Sequence, residues 1–254
     1  MRVDVIAEVG VNHNGNWLKA LDLIDAAKTA GADVVKFQLF SADKLKRPEL
    51  RPLELSQIHM RALKAHCEEV GIEFLCTPFD LDSLQFLVDL GVKRLKISSG
   101  CITNKSLLTA AKNSGLPIII STGMSTPDQA WDAYRLLGHC TTLHCTSAYP
   151  CPVEDVNLRV LDRLPPPFGY SDHTDGIIVA LAAVARGATV IEKHLTLDRD
   201  QNGPDHKASV EPDEFKDMVD GIRYLEKALG DGIKRPMPSE KPAMKIWRTD
   251  VHPG

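Results

Sequence analysis

Polar side chains that suit anion binding follow short apolar runs at several points along the chain. Lys36 and Gln38 lie two residues apart, which places both on one face of a strand. Lys96 ends another such run, and hydroxyl residues end several more. Ammonium and hydroxyl groups together bind phosphate or carboxylate. The predicted anion pocket consists of Lys36, Thr77, Lys96, Ser99, Ser121 and Ser171.

Two histidines end the last two apolar runs of the chain. His173 and His194 would therefore meet at one edge of a parallel sheet, where they could bind a single divalent metal ion. Two ligands leave coordination positions open for a substrate oxygen and for water. Asp205, in the turn Gly203-Pro204-Asp205, would lie over the same edge. The alternative is a pair of independent core histidines and an ordinary turn aspartate.

Charged residues also occur within the apolar runs, where burial is costly unless each charge is paired or liganded. Alternation along a strand puts Glu192 and His194 on one face and Lys193 on the other. Not all of these charges therefore need to point into one site. The five residues concerned are Glu8, Lys36, Lys96, Glu192 and Lys193.

The elements that must position these residues are eight short runs rich in valine and isoleucine, which alternate with segments of helical periodicity. Six of the helical segments end at a glycine before the next strand, namely Gly31, Gly71, Gly91, Gly115, Gly138 and Gly187. We expect weaker helical character over 155–164 and an eighth helix over 211–229. The predicted strands are 3–10, 33–39, 72–77, 93–99, 117–122, 141–147, 168–173 and 189–195.

Eight strand–helix units predict an α/β fold, a single-domain (β/α)8 TIM barrel over residues 1–230. An open doubly wound sheet is the alternative, but it usually has a glycine-rich phosphate loop after its first strand. The loop Gly10–Gly15 lacks that spacing. Residues 231–254 are rich in proline and lysine, which predicts an irregular tail.

Composition excludes several classes of protein. The chain has 30 Lys and Arg against 34 Asp and Glu, which argues against nucleic-acid binding. We expect no membrane span, no signal peptide and a cytoplasmic location. The six cysteines show neither a Cys-x-x-Cys pair nor zinc-ribbon spacing, which favours free thiols. Barrels of this kind usually associate, which favours a homodimer.

The sequence resembles the sialic acid synthase family, which includes N-acetylneuraminate, legionaminate and pseudaminate synthases. The resemblance runs in order over nearly the whole predicted barrel. Its segments are 6–15 (IAEVGVNHNG), 35–38 (VKFQ), 77–80 (TPFD), 121–124 (STGM), 143–146 (LHCT) with 149–150 (YP), 169–174 (GYSDHT), 192–194 (EKH) and 203–205 (GPD).

The resemblance implies a reaction and a division of roles. C3 of phosphoenolpyruvate adds to the open-chain aldehyde of N-acetylmannosamine or a related aldose, and a bound Mn²⁺ or Mg²⁺ polarises the aldehyde oxygen. Water then attacks C2, and phosphate leaves, giving a 2-keto-3-deoxy acid. The implied metal ligands are His173 and His194. The implied phosphoenolpyruvate-binding residues are Lys36, Thr77, Lys96, Ser99, Ser121, Ser147 and Ser171. The implied sugar-binding residues are Gln38, Tyr149 and Asp205, and the implied catalytic residues are Glu8, Lys36, Lys96 and Cys101.

The sequence departs from the family pattern at three points. Cys101 stands where the family usually has an acidic residue after the fourth strand, and Ser147 stands where it typically has asparagine. A thiol has an ordinary pKa of about 8.5, so Cys101 cannot replace the acid as a base at neutral pH unless it is activated. The chain also ends at Gly254, before the antifreeze-like domain that family members commonly carry.

These departures leave two alternatives to a synthase. One is a non-catalytic relative that binds an anion or a partner synthase. The other is a divergent, aldolase-like enzyme in which Cys101 acts as nucleophile or proton donor.

Overall fold

The computed structural model describes residues 2–249, and its strands form one eight-stranded parallel sheet. The strand order is β3-β2-β1-β8-β7-β6-β5-β4, so β1 pairs with β8 and the sheet curves into a ring. Within the described part, β3 and β4 lie in contact but share no hydrogen-bonded ladder. The strands are β1 (Asp4–Gly10), β2 (Val34–Leu39), β3 (Glu73–Pro78), β4 (Leu95–Ile97), β5 (Ile118–Ser121), β6 (Cys140–His144), β7 (Phe168–Asp172) and β8 (Val190–His194).

Helices follow most strands and cover the outside of the ring, which confirms the predicted TIM barrel. Several of these helices begin at a residue whose side chain caps the first turn. The Asn16 side chain, for example, accepts hydrogen bonds from the backbone amides of Leu18 and Lys19. The glycines at all six predicted helix–glycine junctions have positive φ. Gly71, for example, has a φ of 73° and ends the helix that precedes it. The helices are α1 (Trp17–Thr29), α2 (Ala42–Leu45), α3 (Gln57–Val70), α4 (Leu81–Asp89), α5 (Lys105–Asn113), α6 (Pro127–Leu137), α7 (Ile178–Ala185), α8 (Pro212–Leu229) and α9 (Lys241–Trp247).

Two sequence-based expectations about helices differ from the structure. The helix expected over 155–164 is replaced by two short 3-10 turns, Val153–Asp155 and Leu158–Arg163. Asn157 lies between them with φ 49°, and this left-handed residue breaks any continuous α-helix. The tail is not wholly irregular either, since it contains α9.

The interior of the barrel has two layers that follow from the two-residue period of strands. An apolar cluster fills the lower layer, and it consists of Ile6, Val34, Leu75, Ile119, Leu143 and Val190. Two residues further along the same strands lie Glu8, Lys36, Thr77, Ser121 and Glu192, all of which are buried. Because inward side chains recur every two residues along a strand, a polar layer lies directly above this apolar plug, toward the C-terminal ends of the strands.

Ion pairs hold the opposite end of the barrel together. Arg94, just before β4, donates to Glu73 of β3 at 2.7 Å and to Asp4 of β1 at 2.6 Å. Asp33 accepts from the amide of Val5 and from Arg223. These ion pairs contribute to the stability of the barrel and not to its active site, since barrel active sites occupy the other end.

The described residues also show the state of the cysteines and the hydropathy of the helices. The six cysteines are all free, as their spacing predicts, and all six are buried. Among residues 2–249, no helix is both long and apolar enough to cross a membrane.

Candidate active site

A cavity of about 400 Å³ lies at the C-terminal ends of the strands. It brings together every predicted site residue except Cys101. The predicted residues that line it are Glu8, Lys36, Gln38, Thr77, Lys96, Ser99, Ser121, Ser147, Tyr149, Ser171, His173, His194 and Asp205.

Lys36 forms the centre of the cavity floor. Its Nζ lies 3.2 Å from Glu8 Oε2 and 3.3 Å from Glu192 Oε2, with Thr77 Oγ1 at 3.5 Å. Strand register produces this grouping, because Glu8 is directly opposite Lys36 in the β1–β2 ladder. One buried ammonium group is thus held between two buried carboxylates.

Lys96 occupies the other side of the floor. Its Nζ donates to Ser121 Oγ at 2.7 Å and lies 3.4 Å from Glu192 Oε1. Glu192 Oε1 also accepts from Ser171 Oγ at 2.9 Å. Glu192 therefore joins the two lysines, although the sequence assigned it no role in the site.

The four floor charges perturb one another strongly. Burial lowers the pKa of Lys36, but Glu192 and Glu8 outweigh that effect and raise it above its ordinary value. Burial raises the pKa of Glu192, but Lys36 and Lys96 outweigh it and hold that pKa well below its ordinary value. Lys36 and Glu192 are therefore firmly charged at neutral pH.

The second floor pair is less firmly charged. Burial lowers the pKa of Lys96, and the attraction of Glu192 only partly offsets this. Burial likewise raises the pKa of Glu8 despite the attraction of Lys36. An anion placed beside Lys96 would favour its charged form.

A hydroxyl-lined wall rises from the floor on the β4–β6 side. Ser99 Oγ accepts from the Gly123 amide at 3.0 Å and lies 3.2 Å from Cys145 Sγ. A Cβ at residue 123 would lie 2.3 Å from Ser147 Oγ, so only glycine fits there without displacing the wall. The close backbone approach keeps Ser99 and Ser147 directed at the cavity.

The two histidines lie together at the upper edge, with ring centroids 5.5 Å apart. His173 Nδ1 donates to the Thr146 carbonyl at 2.7 Å, so in the neutral ring Nε2 keeps its lone pair. His194 Nδ1 is buried without a hydrogen-bond partner in the described residues. Burial lowers the pKa of both rings, and in His194 the neighbouring His173 lowers it further.

These features fit a divalent metal ion held by two neutral imidazoles. An orphaned buried ring nitrogen is what a missing ligand bond leaves. Residues 2–249 contain no group of three or more His, Cys, Asp and Glu side chains arranged to enclose a metal ion. Two imidazoles alone would leave coordination positions for water and substrate, as a Lewis-acid site requires.

Tyr149 and Asp205 flank the histidines at the mouth. The Tyr149 ring centroid lies 4.3 Å from that of His173 and 5.6 Å from that of His194. Asp205 Oδ2 lies 3.7 Å from His194 Nδ1. Burial, with a smaller contribution from Glu8, raises the pKa of Asp205 to about 7.

Gln38 joins the mouth to the floor. Its Nε2 donates to Glu8 Oε1 at 2.9 Å, and a Cβ at Gly10 would lie 3.1 to 3.2 Å from Glu8, Gln38 and Asp205. Gly10 thus keeps open the space where these three polar side chains converge.

Cys101 is the one predicted site residue that lies outside the cavity. It belongs to a 3-10 turn (Ser99–Cys101) and packs in the apolar core under the helices. Burial raises the pKa of its thiol, and Lys96 only partly offsets this. A protonated thiol outside the cavity does not suit the nucleophilic role of the aldolase-like alternative.

Sequence reasoning also missed an apolar part of the lining. Loops after the first three strands contribute Val11, Phe40, Leu45, Leu50 and Phe79. Loop residues have no periodicity, so nothing in the sequence distinguishes them from residues that face solvent or core.

Comparison with known proteins gives a consistent result. The sequence profile of the NeuB family matches residues 48–234. The chain is 44% identical to N,N'-diacetyllegionaminic acid synthase of Legionella pneumophila, over 97% of this chain and 79% of that protein. It is 39% identical to N-acetylneuraminate-9-phosphate synthase of Homo sapiens, over 93% of this chain and 74% of that protein.

A solved structure agrees in fold and in sequence. The N-acetylneuraminic acid synthetase of Leptospira borgpetersenii, crystallised with citrate, matches with a TM-score of 0.90 and 37% identity. The match covers 96% of this chain and 91% of that one. Because the profile spans well over half of the chain and the relatives agree, the chain belongs to the NeuB family and is an enzyme of the synthase type.

Proposed function

We propose that this enzyme condenses phosphoenolpyruvate with an amino sugar or related aldose of the N-acetylmannosamine type. The product is a 2-keto-3-deoxy acid of the nonulosonic type, and phosphate is released. One observation carries the proposal, namely a floor of two lysines and several hydroxyls directly below two neutral histidines in one cavity. Relatives named as synthases of such acids support it.

Phosphoenolpyruvate suits the floor and the hydroxyl wall. Its phosphate and carboxylate are both anions, and Lys36 and Lys96 offer two separate ammonium groups. Thr77, Ser121 and Ser171 lie against those lysines or Glu192, and they would orient the ligand by hydrogen bonds. Ser99 and Ser147 supply further hydroxyls from the wall.

The acceptor suits the upper part of the cavity. His173 and His194 would hold Mn²⁺ or Mg²⁺, which when bound supplies Lewis-acid polarisation of the aldehyde oxygen. Gln38, Tyr149 and Asp205 would bind and orient the sugar. With the sugar bound in this way, the acceptor carbon would lie above C3 of phosphoenolpyruvate, as the carbon–carbon bond requires.

The bond changes balance with one water molecule. C3 of phosphoenolpyruvate bonds to the aldehyde carbon, and the aldehyde oxygen takes up a proton to become a hydroxyl. Water adds to C2 and gives up one proton, which balances the proton taken up by the aldehyde oxygen. The C2–O bond to phosphate then breaks, and the remaining proton of the C2 hydroxyl leaves with the phosphate, so that C2 becomes a ketone. Glu8, whose pKa is raised by burial at the floor, is the proposed proton carrier.

The test is phosphate release from phosphoenolpyruvate by the purified chain with Mn²⁺, measured across a panel of amino sugars and other aldoses. We expect release with at least one acetamido aldose and none when Lys36→Met replaces the wild type. Lys46→Met, at an exposed position outside the cavity, is the matched control. Absence of release with every acceptor would contradict the proposal. A homodimer and a cytoplasmic location stay predictions.

A further inference from the structure

A second cavity lies on the outer side of the barrel, between α6 and the segment that follows β6. An α-helix covers most strands of this barrel, but the 3-10 turns Val153–Asp155 and Leu158–Arg163 take that place after β6. A short 3-10 turn covers less of a sheet than an α-helix does. The space that remains has a volume of about 540 Å³, which is within the range of small-molecule sites. We call it the outer cavity.

One wall of the outer cavity is a single face of α6. Its residues recur at spacings of three and four, which places them on one side of the helix. They are Pro127, Ala130, Trp131 and Tyr134. The Trp131 and Tyr134 rings meet edge to face, with centroids 5.6 Å apart and planes at 87°, and Trp131 is 43% exposed. Two accessible aromatic surfaces at nearly right angles suit the packing of a further planar ring.

One side chain sets the charge of the outer cavity. Among the described residues that line it there is no aspartate or glutamate, and Arg163 is the only lysine or arginine. The exposed guanidinium group of Arg163 has no ion pair or hydrogen bond within the described chain, and the adjacent Asp162 pairs with Arg186 instead. Burial lowers the pKa of His144, which also lines the cavity, so that ring is neutral at pH 7. An anionic group would therefore meet one unpaired cation here and no carboxylate.

The inner end of the outer cavity offers polar atoms that lack strong partners. Thr142 and His144 lie two residues apart on β6, on the face opposite to Leu143 of the apolar plug. Thr142 Oγ1 is buried without a nitrogen or oxygen partner among the described residues, although the weakly donating thiol of Cys140 interacts with it. His144 Nε2 donates to the Val156 carbonyl at 2.7 Å, which leaves Nδ1 as an acceptor. A buried hydroxyl without a partner is a position that a ligand atom would satisfy.

The outer cavity lies behind the hydroxyl-lined wall of the active-site cavity. Met124, Cys145 and Ser147 line both cavities. The backbone beside Met124 is packed closely on this wall, since a Cβ at Gly123 would lie 2.3 Å from Ser147 Oγ. A molecule in the outer cavity would therefore contact, from the other side, residues that form the active-site wall.

We propose that the outer cavity is a second ligand site, which takes a planar ring that carries an anionic group. The ring would pack on Trp131 and Tyr134, and the anionic group would pair with Arg163. Neither floor lysine of the active site, Lys36 or Lys96, lines this cavity. Its occupant is therefore not a reactant of the proposed synthase, but a molecule that binds beside the active site.

The test uses two probes that share one ring system, 1-naphthoate with a carboxylate and 1-naphthalenemethanol without a charge. We expect isothermal titration calorimetry of the full chain to show one bound 1-naphthoate with a Kd of about 1 mM or lower. Because Arg163 pairs with the carboxylate, 1-naphthoate should bind about fivefold more tightly than the alcohol. Absence of 1-naphthoate binding, or equal binding of the two probes, would overturn the inference.

Variants assign the bound probe to the outer cavity. Arg163→Met should weaken 1-naphthoate binding about fivefold and leave binding of the alcohol unchanged. Trp131→Ala should weaken binding of both probes about tenfold, because both lose an aromatic surface. These two side chains are exposed, so neither change should unfold the chain. Ala130→Phe, which adds a ring to the α6 face of the cavity, should block both probes.

The matched controls lie outside the outer cavity. Arg159→Met alters another exposed arginine of the same 3-10 turn, and Trp17→Ala alters a tryptophan of similar exposure on α1. Both variants should bind 1-naphthoate as the wild type does, and so should Lys36→Met. Loss of binding in Lys36→Met, with full binding in Arg163→Met and Trp131→Ala, would place the probe in the active-site cavity and overturn the inference.

Discussion

Glu192 Oε2 lies 3.3 Å from Lys36 Nζ at the floor of the cavity. The other carboxylate oxygen lies 3.4 Å from Lys96 Nζ and also accepts from Ser171. One carboxylate thus keeps two buried ammonium groups close together without net repulsion, so the lysines are arranged before any ligand arrives.

Glu192→Gln should therefore leave two buried lysines facing each other. Breaking a buried charge network by removing one partner costs about 3 to 5 kcal/mol, and we expect a loss of that order in the free energy of unfolding. Inorganic phosphate should restore more stability to Glu192→Gln than to the wild type, because an anion replaces the missing charge. Urea unfolding with and without phosphate measures both effects.

Glu154→Gln, at an exposed glutamate, is the control for Glu192→Gln. It should change neither the stability nor the response to phosphate. If Glu192→Gln matched this control, Glu192 would not be the group that holds the lysines together.

A second buried ion pair lies on the outer face of the strands. Lys193 Nζ donates to Asp172 Oδ2 at 2.9 Å, and both side chains are fully buried. Asp172→Asn should lower the free energy of unfolding by about 3 kcal/mol or more, because a buried ammonium group loses its counter-charge. Asp220→Asn breaks the exposed pair with Lys216 and should have little effect. Similar losses in the two variants would contradict this assignment.

Acid should weaken the loop after β1 through His13. Burial lowers the pKa of His13 from 6.5 to about 4, and its Nδ1 accepts from the Gly15 amide at 3.0 Å. The unfolded chain binds the proton more tightly, so stability is complete above pH 6.5 and is lost as the pH falls toward 4. At about 1.4 kcal/mol per pH unit, this loss approaches about 3 kcal/mol.

Urea unfolding at pH 7, 5.5 and 4 tests the role of His13. His13→Gln, which keeps an acceptor but takes up no proton, should lose about 3 kcal/mol less than the wild type over this range. His139→Gln, at an exposed position, should follow the wild type. Parallel curves for all three proteins would show that His13 does not govern the acid response.

Binding of Mn²⁺ should depend on the histidine pair. A ligand at about 100 times its Kd stabilises the folded state by about 2.7 kcal/mol, so Mn²⁺ should raise the Tm of the wild type. His173→Ala and His194→Ala should abolish that rise, and a chelator should reverse it. His139→Ala should retain it. A rise that survives in both cavity variants would place the metal elsewhere.

Cys101→Ser should keep most of the catalytic activity, because Cys101 lies in the apolar core outside the cavity. We expect kcat/KM to stay within severalfold of the wild type, as for Cys67→Ser, which alters a buried cysteine of α3. A folded Cys101→Ser protein without activity would instead support the aldolase-like alternative. Phosphate release from phosphoenolpyruvate is the measurement.

Much of the fold and of the site could be predicted because the two-residue period of strands indicates which side chains share a face. Glu8, Lys36 and Glu192 each lie two residues beyond an apolar plug residue of the same strand, so alternation predicts that they point inward. The same alternation puts Glu192 on the face of His194, but the link of Glu192 to both lysines depends on distances across the barrel that no sequence pattern contains.

The parts that could not be predicted lie where local patterns give no signal. The left-handed Asn157 splits an expected helix, and asparagine adopts that conformation too seldom to be foreseen. The apolar part of the cavity lining comes from loops without periodicity. The resemblance implies a catalytic role for Cys101, whereas the turn in which it lies directs its side chain into the core.

The interval between β3 and β4 gives the barrel a preferred line of opening. Packing and the Arg94–Glu73 ion pair hold it, whereas ladders hold the other strand neighbours of the described chain. Local opening is easiest where fewest hydrogen bonds break, so amide protons along these two edges should exchange with deuterium early. Thr77 and Lys96 lie on opposite sides of that line. An anion bound between these two residues would therefore link the two edges and slow their local opening. Ligand binding would then strengthen the barrel at the interval where β3 and β4 share no ladder.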